Sequence, residues 1–453
     1  MTRSSTLKAA SLLITALLVF TACSESDAPV DASSRPDVGV EEDGSAGDAA
    51  GDGSADITAD TLPPDVLAPD ILAPDQGMPG GTFELVTASP ALRLTLVERG
   101  LLRVHYLPPS GAAHPDRGWT HTLGVLPQGQ LPAQDLGDRY RIETPLFTVV
   151  VRKADATLTI HDRSHTPALP LVEERALAAA PTSYRRRVEL ALAADARIYG
   201  LGEKVGPLDK RGMALTMWNS DPLANGSFGT STDPLYQAVP FFISHRPADK
   251  SSVGVYLDST FETHFDLGKT APDTLSFETK GGDLAYFVLH GPDLKHVVRR
   301  FAKLVGRAPL PPLWALGYHQ CKWSYAPESE LRKVAGELRS RKIPADGLWL
   351  DIDYMDGFRS FTWSPTAFPN PKAMLTDLEQ QGFKTTVIID PGIKHDPNGS
   401  YATYNTGAAG GHFVKDAAGQ TFIGQVWPGD AVFPDFTRPA TRSWWAQEVQ
   451  GLT

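Results

Sequence analysis

Cysteine is scarce in this sequence. Only Cys23 and Cys321 occur among 453 residues. Two cysteines cannot form the disulfide framework that holds a small secreted domain together, so that class of fold is excluded. Because 42% of the residues are apolar, the chain can instead bury large hydrophobic cores.

A net charge of either sign is also lacking over most of the chain. The formal charge is −11, but residues 24–80 hold fourteen acidic side chains against the single Arg35. Only Arg3 and Lys8 are charged before that segment, so residues 81–453 are balanced. A balanced surface does not favour a polyanionic partner, and we expect no nucleic-acid binding.

No apolar run is long enough to span a membrane. The longest run near the N-terminus, Ala9–Phe20, has twelve residues, whereas a spanning helix needs roughly 20. It follows basic residues and precedes Thr21-Ala22-Cys23, which resembles the cleavage site of bacterial lipoproteins. We therefore predict that residues 1–23 are a lipoprotein signal peptide and that a lipid on Cys23 anchors the exported protein at the periplasm or cell surface. Secretion without a lipid remains the alternative.

Aromatic residues are absent from residues 24–81, which are rich in Asp, Ala, Gly and Pro. Such a segment cannot bury enough apolar surface to offset the entropy of ordering its backbone. We predict a disordered acidic tether, or a solvated leader with no further role. The aspartates lack the spacing of an EF-hand calcium site.

Residues 82–308 show short runs in which apolar and polar residues alternate, for example Leu92–Leu96, Phe147–Val151 and Val253–Leu257. This period of two, interrupted by Gly, Pro, Asp and Asn, predicts an antiparallel β-sandwich. From Leu294 to Val305 the apolar spacing becomes helical and ends at Gly306. We place a domain boundary between residues 308 and 309.

Residues 309–453 alternate between strand and helix patterns. Strands are expected at Leu313–Tyr318, Gly347–Asp351 and Lys384–Asp390, with helices between them. One βα unit in about 36 residues predicts parallel strands with right-handed crossovers. An open doubly wound sheet and a (βα)8 barrel both fit, but no glycine-rich phosphate loop follows the first strand, so we favour the barrel. The predicted fold class is α+β multidomain: an antiparallel β-sandwich followed by an incomplete (βα)8 TIM barrel.

Candidate binding residues stand where these strands end, which is where α/β folds bind ligands. They are Trp323, Asp351 with Asp353, and Asp390; Trp427 lies in the segment that follows. Carboxylates accept hydrogen bonds from hydroxyl groups, and an indole offers an apolar face. The alternative interpretation is that the aspartates cap loops and the aromatic residues fill the core. No spacing of His, Cys and Asp suggests a metal, and no cofactor is predicted. His319 and Cys321 are expected to be buried.

From residue 199 to about 445 the sequence resembles glycoside hydrolase family 31, in particular its bacterial α-glucosidase branch. The resemblance is carried by Tyr199-Gly200-Leu201-Gly202-Glu203, Met217-Trp218-Asn219-Ser220-Asp221, Pro234-Leu235-Tyr236, Trp323, Leu350-Asp351-Ile352-Asp353-Tyr354-Met355-Asp356-Gly357, Ile389-Asp390-Pro391-Gly392 and Val426-Trp427-Pro428-Gly429.

The resemblance implies a retaining exo-glycosidase that removes terminal α-linked glucose from oligosaccharides, with a galactose-mutarotase-like sandwich packed on the barrel. Asp221 would bind a sugar hydroxyl from a loop of the sandwich, and Asp351 would bind hydroxyls of the terminal glucose. Ile352 and Ile388 would line the sugar pocket, Trp323 and Trp427 would form its aromatic walls, and Asp390 would order the surrounding loop.

Retaining hydrolysis requires a nucleophile and an acid/base, two carboxyl groups about 5–5.5 Å apart. The family carries both in later motifs, and neither motif occurs in these 453 residues. We therefore expect the chain to end before the fourth barrel strand, to be part of a longer enzyme, and to be inactive alone. The alternative is a surface-tethered lipoprotein that binds carbohydrate without cleaving it.

Overall fold

The computed structural model describes residues 80–86, 91–107, 120–124, 126–179, 186–222 and 229–452. The predicted signal peptide, Cys23 and nearly all of the predicted tether lie outside these ranges. Within the described ranges, no helix is long and apolar enough to cross a membrane.

Seventeen strands form the first folded region. In chain order they are β1 (Gly81–Leu85), β2 (Ala91–Glu98), β3 (Leu101–Leu107), β4 (Gly129–Gln130), β5 (Ala133–Asp135), β6 (Arg139–Glu143), β7 (Phe147–Arg152), β8 (Leu158–Asp162), β9 (Leu169–Ala179), β10 (Arg186–Ala191), β11 (Arg197–Gly200), β12 (Ala214–Met217), β13 (Phe241–Arg246), β14 (Ser251–Leu257), β15 (Thr263–Leu267), β16 (Thr274–Thr279) and β17 (Leu284–Gly291).

These strands make two large sheets. One has eight strands in the order β11-β13-β14-β17-β3-β2-β1-β4, and the other has nine in the order β12-β15-β16-β10-β9-β8-β7-β6-β5. Alternate residues of each sheet meet in one core: Leu102, Val104 and Tyr106 of β3 are buried together with Val149 and Phe277 of the other sheet. Residues at alternate positions therefore face the core between the sheets, as the alternating apolar pattern predicted, and the predicted sandwich is confirmed.

Helix α1 (Leu294–Val305) covers the outer face of the eight-stranded sheet. The side chain of Asp293 accepts a hydrogen bond from the backbone N–H of His296 and so caps the helix start. Val297 and Leu304 pack against Phe241, Phe287 and other residues of the outer sheet face. Since β17 has the core on one face and α1 on the other, all eight of its residues are buried. The helix predicted here is confirmed.

The second folded region begins with three parallel strands: β18 (His319–Gln320), β19 (Gly347–Leu350) and β20 (Lys384–Val387). Helices α2 (Glu328–Ser340) and α3 (Pro371–Gln380) connect them. Leu331 and Ala335 of α2 share a buried core with Leu348 of β19 and Met374 of α3. The alternation of strand and helix was therefore predicted correctly, although β20 ends three residues earlier than expected.

The first of these strands was placed wrongly. Leu313–Leu316 form a 3-10 helix, and only His319 and Gln320 pair with β19. The prolines just before residue 313 lack a backbone N–H, and Pro312 starts the 3-10 turn with an extended backbone. Leu313 and Leu316 are also exposed. Their apolar side chains therefore do not belong to a buried strand, although the prediction assumed that they do.

Beyond β20 lie β21 (Ile393–Lys394), β22 (Ile423–Val426) and β23 (Gly429–Val432), which form a small antiparallel sheet, and helices α4 (Ala402–Ala409) and α5 (Pro439–Leu452). Helix α5 contains Trp444 and Trp445. The sequence analysis did not predict α4, because its buried residues, Thr403 and Gly407, are polar or lack a side chain and leave no hydrophobic period in the sequence.

Candidate functional site

Asp351 stands at the carboxyl end of β19, the central strand of the parallel sheet. Its carboxylate accepts a hydrogen bond of 2.7 Å from the backbone N–H of Ile352, and this contact starts a 3-10 turn over Ile352–Tyr354. The side chain is half-buried. The turn therefore leaves the other carboxylate oxygen of Asp351 available at the strand end.

Trp323 is tied to this turn. Its indole Nε1–H donates a hydrogen bond of 3.1 Å to Oδ2 of Asp353. The tryptophan is 75% exposed, so its ring offers an apolar surface beside a carboxylate. The structure thus brings together two residues that the sequence places 30 positions apart, at the ends of β18 and β19.

Asp390 carries the second carboxylate near Asp351. Burial raises the pKa of Asp390, and the negative charge of Asp351 raises it further. Its backbone carbonyl accepts a hydrogen bond from Ser360 Oγ at 3.0 Å, so the residue also holds the loop that follows β19. Two carboxylates at neighbouring strand ends form an acidic group that can accept hydrogen bonds from hydroxyl groups.

Tyr354 links the two strand ends, a role that the sequence did not suggest. Its hydroxyl donates to the carbonyl oxygen of Ile388 at 2.9 Å, and its ring packs against Trp363. Burial, with a contribution from the charge of Asp390, raises its pKa. Ile352 is buried in the same core and Ile388 packs against that core, so the segments that carry Asp351 and Asp390 are both anchored by apolar contacts.

Trp427 lies at the tip of the hairpin formed by β22 and β23 and is 69% exposed. The hairpin approaches the loop after Asp390 at Gly392, where an added Cβ would come within 2.6 Å of Val426 Cγ2. Only glycine permits this approach without displacing Val426. The hairpin is thus anchored next to Asp390, while the indole of Trp427 extends into solvent.

Asp221 belongs to the sandwich, in the segment after β12. The hydroxyl of Tyr236 donates to its carboxylate at 2.9 Å, and both residues are exposed. The segment is anchored by Lys204, a buried ammonium group that contacts Asp233 Oδ1 at 2.6 Å. Asp233 also accepts from the backbone N–H of Thr216 at 2.6 Å. Sequence reasoning missed this pair, although both residues adjoin the motifs that carry the resemblance.

The contacts therefore gather Trp323, Asp351, Asp353, Asp390 and the two isoleucines at one edge of the parallel sheet. Asp221 is held within the sandwich, and Trp427 stands on its own hairpin. The described ranges contain no group of three or more His, Cys, Asp or Glu side chains that could hold a metal ion.

Two expectations near the site need correction. Cys321 is exposed rather than buried, because the chain leaves the sheet directly after Gln320. His319 is half-buried, but both ring nitrogens have partners: the carbonyl oxygen of Trp314 at 3.0 Å and the indole N–H of Trp349 at 2.9 Å.

Both folded regions match domains of known protein families. Residues 91–266 match the Glycosyl hydrolase 31 N-terminal galactose mutarotase-like domain. Residues 308–453 match the Glycosyl hydrolases family 31 TIM-barrel domain. The second match decides between the two α/β arrangements in favour of the barrel.

Several relatives are α-glucosidases. Alpha-glucosidase 2 of Bacillus thermoamyloliquefaciens is 44% identical over 255 residues, which make up 56% of this chain and 32% of that protein. Lysosomal alpha-glucosidase of Mus musculus is 36% identical over 255 residues, with 56% of this chain and 26% of that protein covered. The match thus spans about a quarter to a third of the length of these curated relatives.

Among solved structures, a GH31 dextranase of Flavobacterium johnsoniae complexed with isomaltotriose superposes with a TM-score of 0.71. Its sequence is 30% identical, and the match covers 80% of this chain and 44% of that chain. Since both folded regions match domains of one family, in the same order, this chain belongs to glycoside hydrolase family 31, a family of glycosidases.

Proposed function

We propose that the acidic group at the ends of β19 and β20 binds the terminal glucose of an α-linked oligosaccharide, and that the whole protein is a retaining exo-α-glucosidase. The observation that carries the proposal is the hydrogen bond from Trp323 to Asp353 beside Asp351 and Asp390. Carboxylates for hydroxyl groups and an exposed indole for the C–H face of a pyranose are the groups a sugar site needs. The α-glucosidases and the dextranase described above support this choice of substrate.

Two variants of the full chain test sugar binding. Asp351→Asn keeps the size of the side chain but removes its charge, and Trp323→Phe keeps an aromatic ring but removes the indole N–H. We expect each variant to bind maltose or isomaltose at least roughly fivefold more weakly, since a hydrogen bond to a charged group is worth about 1.5–3 kcal/mol.

The matched control is Asp356→Asn, which removes an exposed carboxylate from the same loop. A titration followed by protein NMR gives the affinities. If the control weakens binding as much as Asp351→Asn does, or if Asp351→Asn has no effect, the site is wrongly assigned.

We further propose that Asp351, Asp353 and Asp390 bind and orient the substrate rather than form the hydrolytic pair. The family motifs for the nucleophile and the acid/base are absent from the 453 residues. The pure chain is therefore expected to bind sugar without hydrolysing an aryl α-glucoside. Turnover that persists after rigorous purification, and that Asp351→Asn removes, would contradict this division of roles.

The proposed location is the periplasm or cell surface, with a lipid on Cys23 as the membrane anchor. The support is the sequence alone: a basic start, a short apolar run and a small residue before the cysteine. In a bacterial host, Cys23→Ser should move the protein from the membrane fraction to the soluble exported fraction. Mass spectrometry of the N-terminus should find acyl chains on Cys23, and a mature N-terminus at another residue would refute the anchor.

A further inference from the structure

A cavity lies on the surface of the sandwich. It has a volume of about 330 Å³ and is bounded by the segment after β12, the turn between β14 and β15, and residues near Pro240. This volume is at the lower end of the roughly 300–1,000 Å³ that small-molecule sites occupy. None of its lining residues that the structure describes is charged, which favours a neutral ligand.

Two exposed aromatic side chains flank the cavity. Trp218 is 51% exposed and Phe261 is 49% exposed. The ring of Phe261 rests on the backbone of Gly281 and Gly282, where an added Cβ would come within 2.6 and 2.8 Å of ring atoms. One face of Phe261 is thus held by the sandwich, and the rest of the ring is available to a ligand.

A buried hydroxyl also lines this cavity. Thr263 is 1% exposed, and its Oγ1 has no hydrogen-bond partner among the residues that the structure describes. A buried hydroxyl without a partner is unfavourable, and in native proteins such a group calls for an explanation, such as a bound water or a ligand. Asn219 and Thr260 add an amide and a hydroxyl at the cavity mouth.

We propose that this cavity is a second carbohydrate site, which binds one neutral pyranose unit. The ring would stack on Trp218 and Phe261, and its hydroxyl groups would pair with Thr263, Asn219 and Thr260. The lining combines exposed aromatic faces with uncharged hydrogen-bonding groups, as a neutral sugar requires. The choice of an α-glucoside as the ligand rests on the proposed function, whereas the site itself rests on the cavity.

Indole resonances can report the two sites separately. The full chain is labelled with ¹⁵N at tryptophan and titrated with maltose and, in parallel, isomaltose. The indole N–H of Trp218 reports the sandwich cavity and that of Trp323 reports the barrel site; Trp218→Phe and Trp323→Phe assign the two signals. We expect a saturable shift of the Trp218 signal that persists in Asp351→Asn.

Two substitutions test the cavity itself. Thr263→Val removes the hydroxyl at nearly constant volume, and Phe261→Ala removes the stacking surface. We expect the Trp218 shift to need at least roughly fivefold more sugar in each variant, because one hydrogen bond or one aromatic contact is worth about 1 kcal/mol. Thr95→Val, at a buried threonine outside the cavity whose hydroxyl contacts Thr82, serves as the control and should leave the titration unchanged.

The outcomes separate the two proposals. If sugar moves only the Trp323 signal, the cavity holds water alone and the inference is wrong, while the proposed function stands. If sugar moves only the Trp218 signal, the inference stands and the barrel site fails. A Trp218 shift that neither Thr263→Val nor Phe261→Ala weakens, in variants with an unchanged melting temperature, also overturns the inference.

Discussion

Carboxylates of the sandwich and of the barrel strands differ in burial and in hydrogen bonding. In the sandwich, Glu174 is fully buried and its two oxygens are occupied: Tyr106 Oη lies at 2.5 Å, Tyr286 Oη at 2.6 Å and the backbone N–H of Leu158 at 2.9 Å. In the barrel, Asp351 and Asp390 are half-buried, and the pKa of Asp390 is raised by burial and by the negative charge of Asp351. The sandwich uses its buried carboxylate to hold strands together, whereas the barrel region leaves two carboxylates partly exposed at strand ends.

The contrast teaches that burial alone does not mark a functional carboxylate. Burial raises the pKa of Glu174 from 4.5 to about 7. It lies among sandwich strands whose contacts it completes, away from any described strand end of the barrel. Asp390 stands after the end of a parallel strand, beside the like charge of Asp351. This is the arrangement that we propose binds sugar.

The largest effect expected is the loss of the sandwich contacts. Glu174→Ala removes the acceptor of the Tyr286 hydroxyl and of the Leu158 N–H, removes one of the partners of the Tyr106 hydroxyl, and opens a cavity. The sandwich should therefore lose roughly 3 kcal/mol or more of its free energy of unfolding. Asp351→Asn in the barrel should change the stability by less than about 1 kcal/mol. Urea denaturation of both variants, followed by far-UV and near-UV circular dichroism, compares them. Equal losses would show that the two carboxylates have the same structural role.

The next effect is a pH dependence confined to the sandwich. Burial raises the pKa of Glu174 from 4.5 to about 7, so the folded state holds the proton more tightly than the unfolded state. The resulting stabilisation is complete below about pH 4.5 and is lost as the pH rises through 7, by up to roughly 3 kcal/mol. When Glu174 is protonated it can donate to Tyr106, whose own hydroxyl then donates to the carbonyl oxygen of Ala156 at 3.2 Å.

Glu174→Gln is the control for that pH dependence. The amide keeps a donor and an acceptor but does not titrate, so the loss of stability between pH 5 and pH 8 should shrink or vanish in this variant. Urea unfolding at a series of pH values measures it. An unchanged pH profile would mean that other groups carry the dependence.

The smallest effect is expected at the barrel site. Asp390→Asn removes the repulsion from Asp351, so the barrel region should become slightly more stable at pH 7, by roughly half a kcal/mol after solvent screening. The gain should disappear at low pH, where Asp390 is protonated in both folded and unfolded chains. Hydrogen exchange of amides in β19 and β20 reads out this local change. A loss of protection in the variant would show that the Asp390 carboxylate stabilises the loop instead.

The sequence predicted the parts of the fold that depend on local pattern. Alternation identified strands such as β2 and β7, and helical spacing identified α1, because a strand or helix with one buried face must repeat its apolar residues at the corresponding period. The aspartates after β19 and β20 were recognised for the same reason: a strand end can be read from where its apolar run stops.

Local pattern failed where a short segment contributes few buried side chains. Leu313–Leu316 looked like a strand because they are apolar, yet they form an exposed 3-10 helix after two prolines. Helix α4 went unrecognised because small and polar residues fill its buried positions. Cys321 was expected to be buried from its residue type alone, and its exposure follows from where the chain leaves β18.

By itself, the sequence determined the order of the two regions, the residue types at the strand ends and the family to which they belong. Only the tertiary structure decided which of those residues meet. The Trp323–Asp353 hydrogen bond, the proximity of Asp351 and Asp390, and the cavity between Trp218 and Phe261 all join residues that are distant along the chain. Such contacts depend on how strands pair and loops pack, which no local period records.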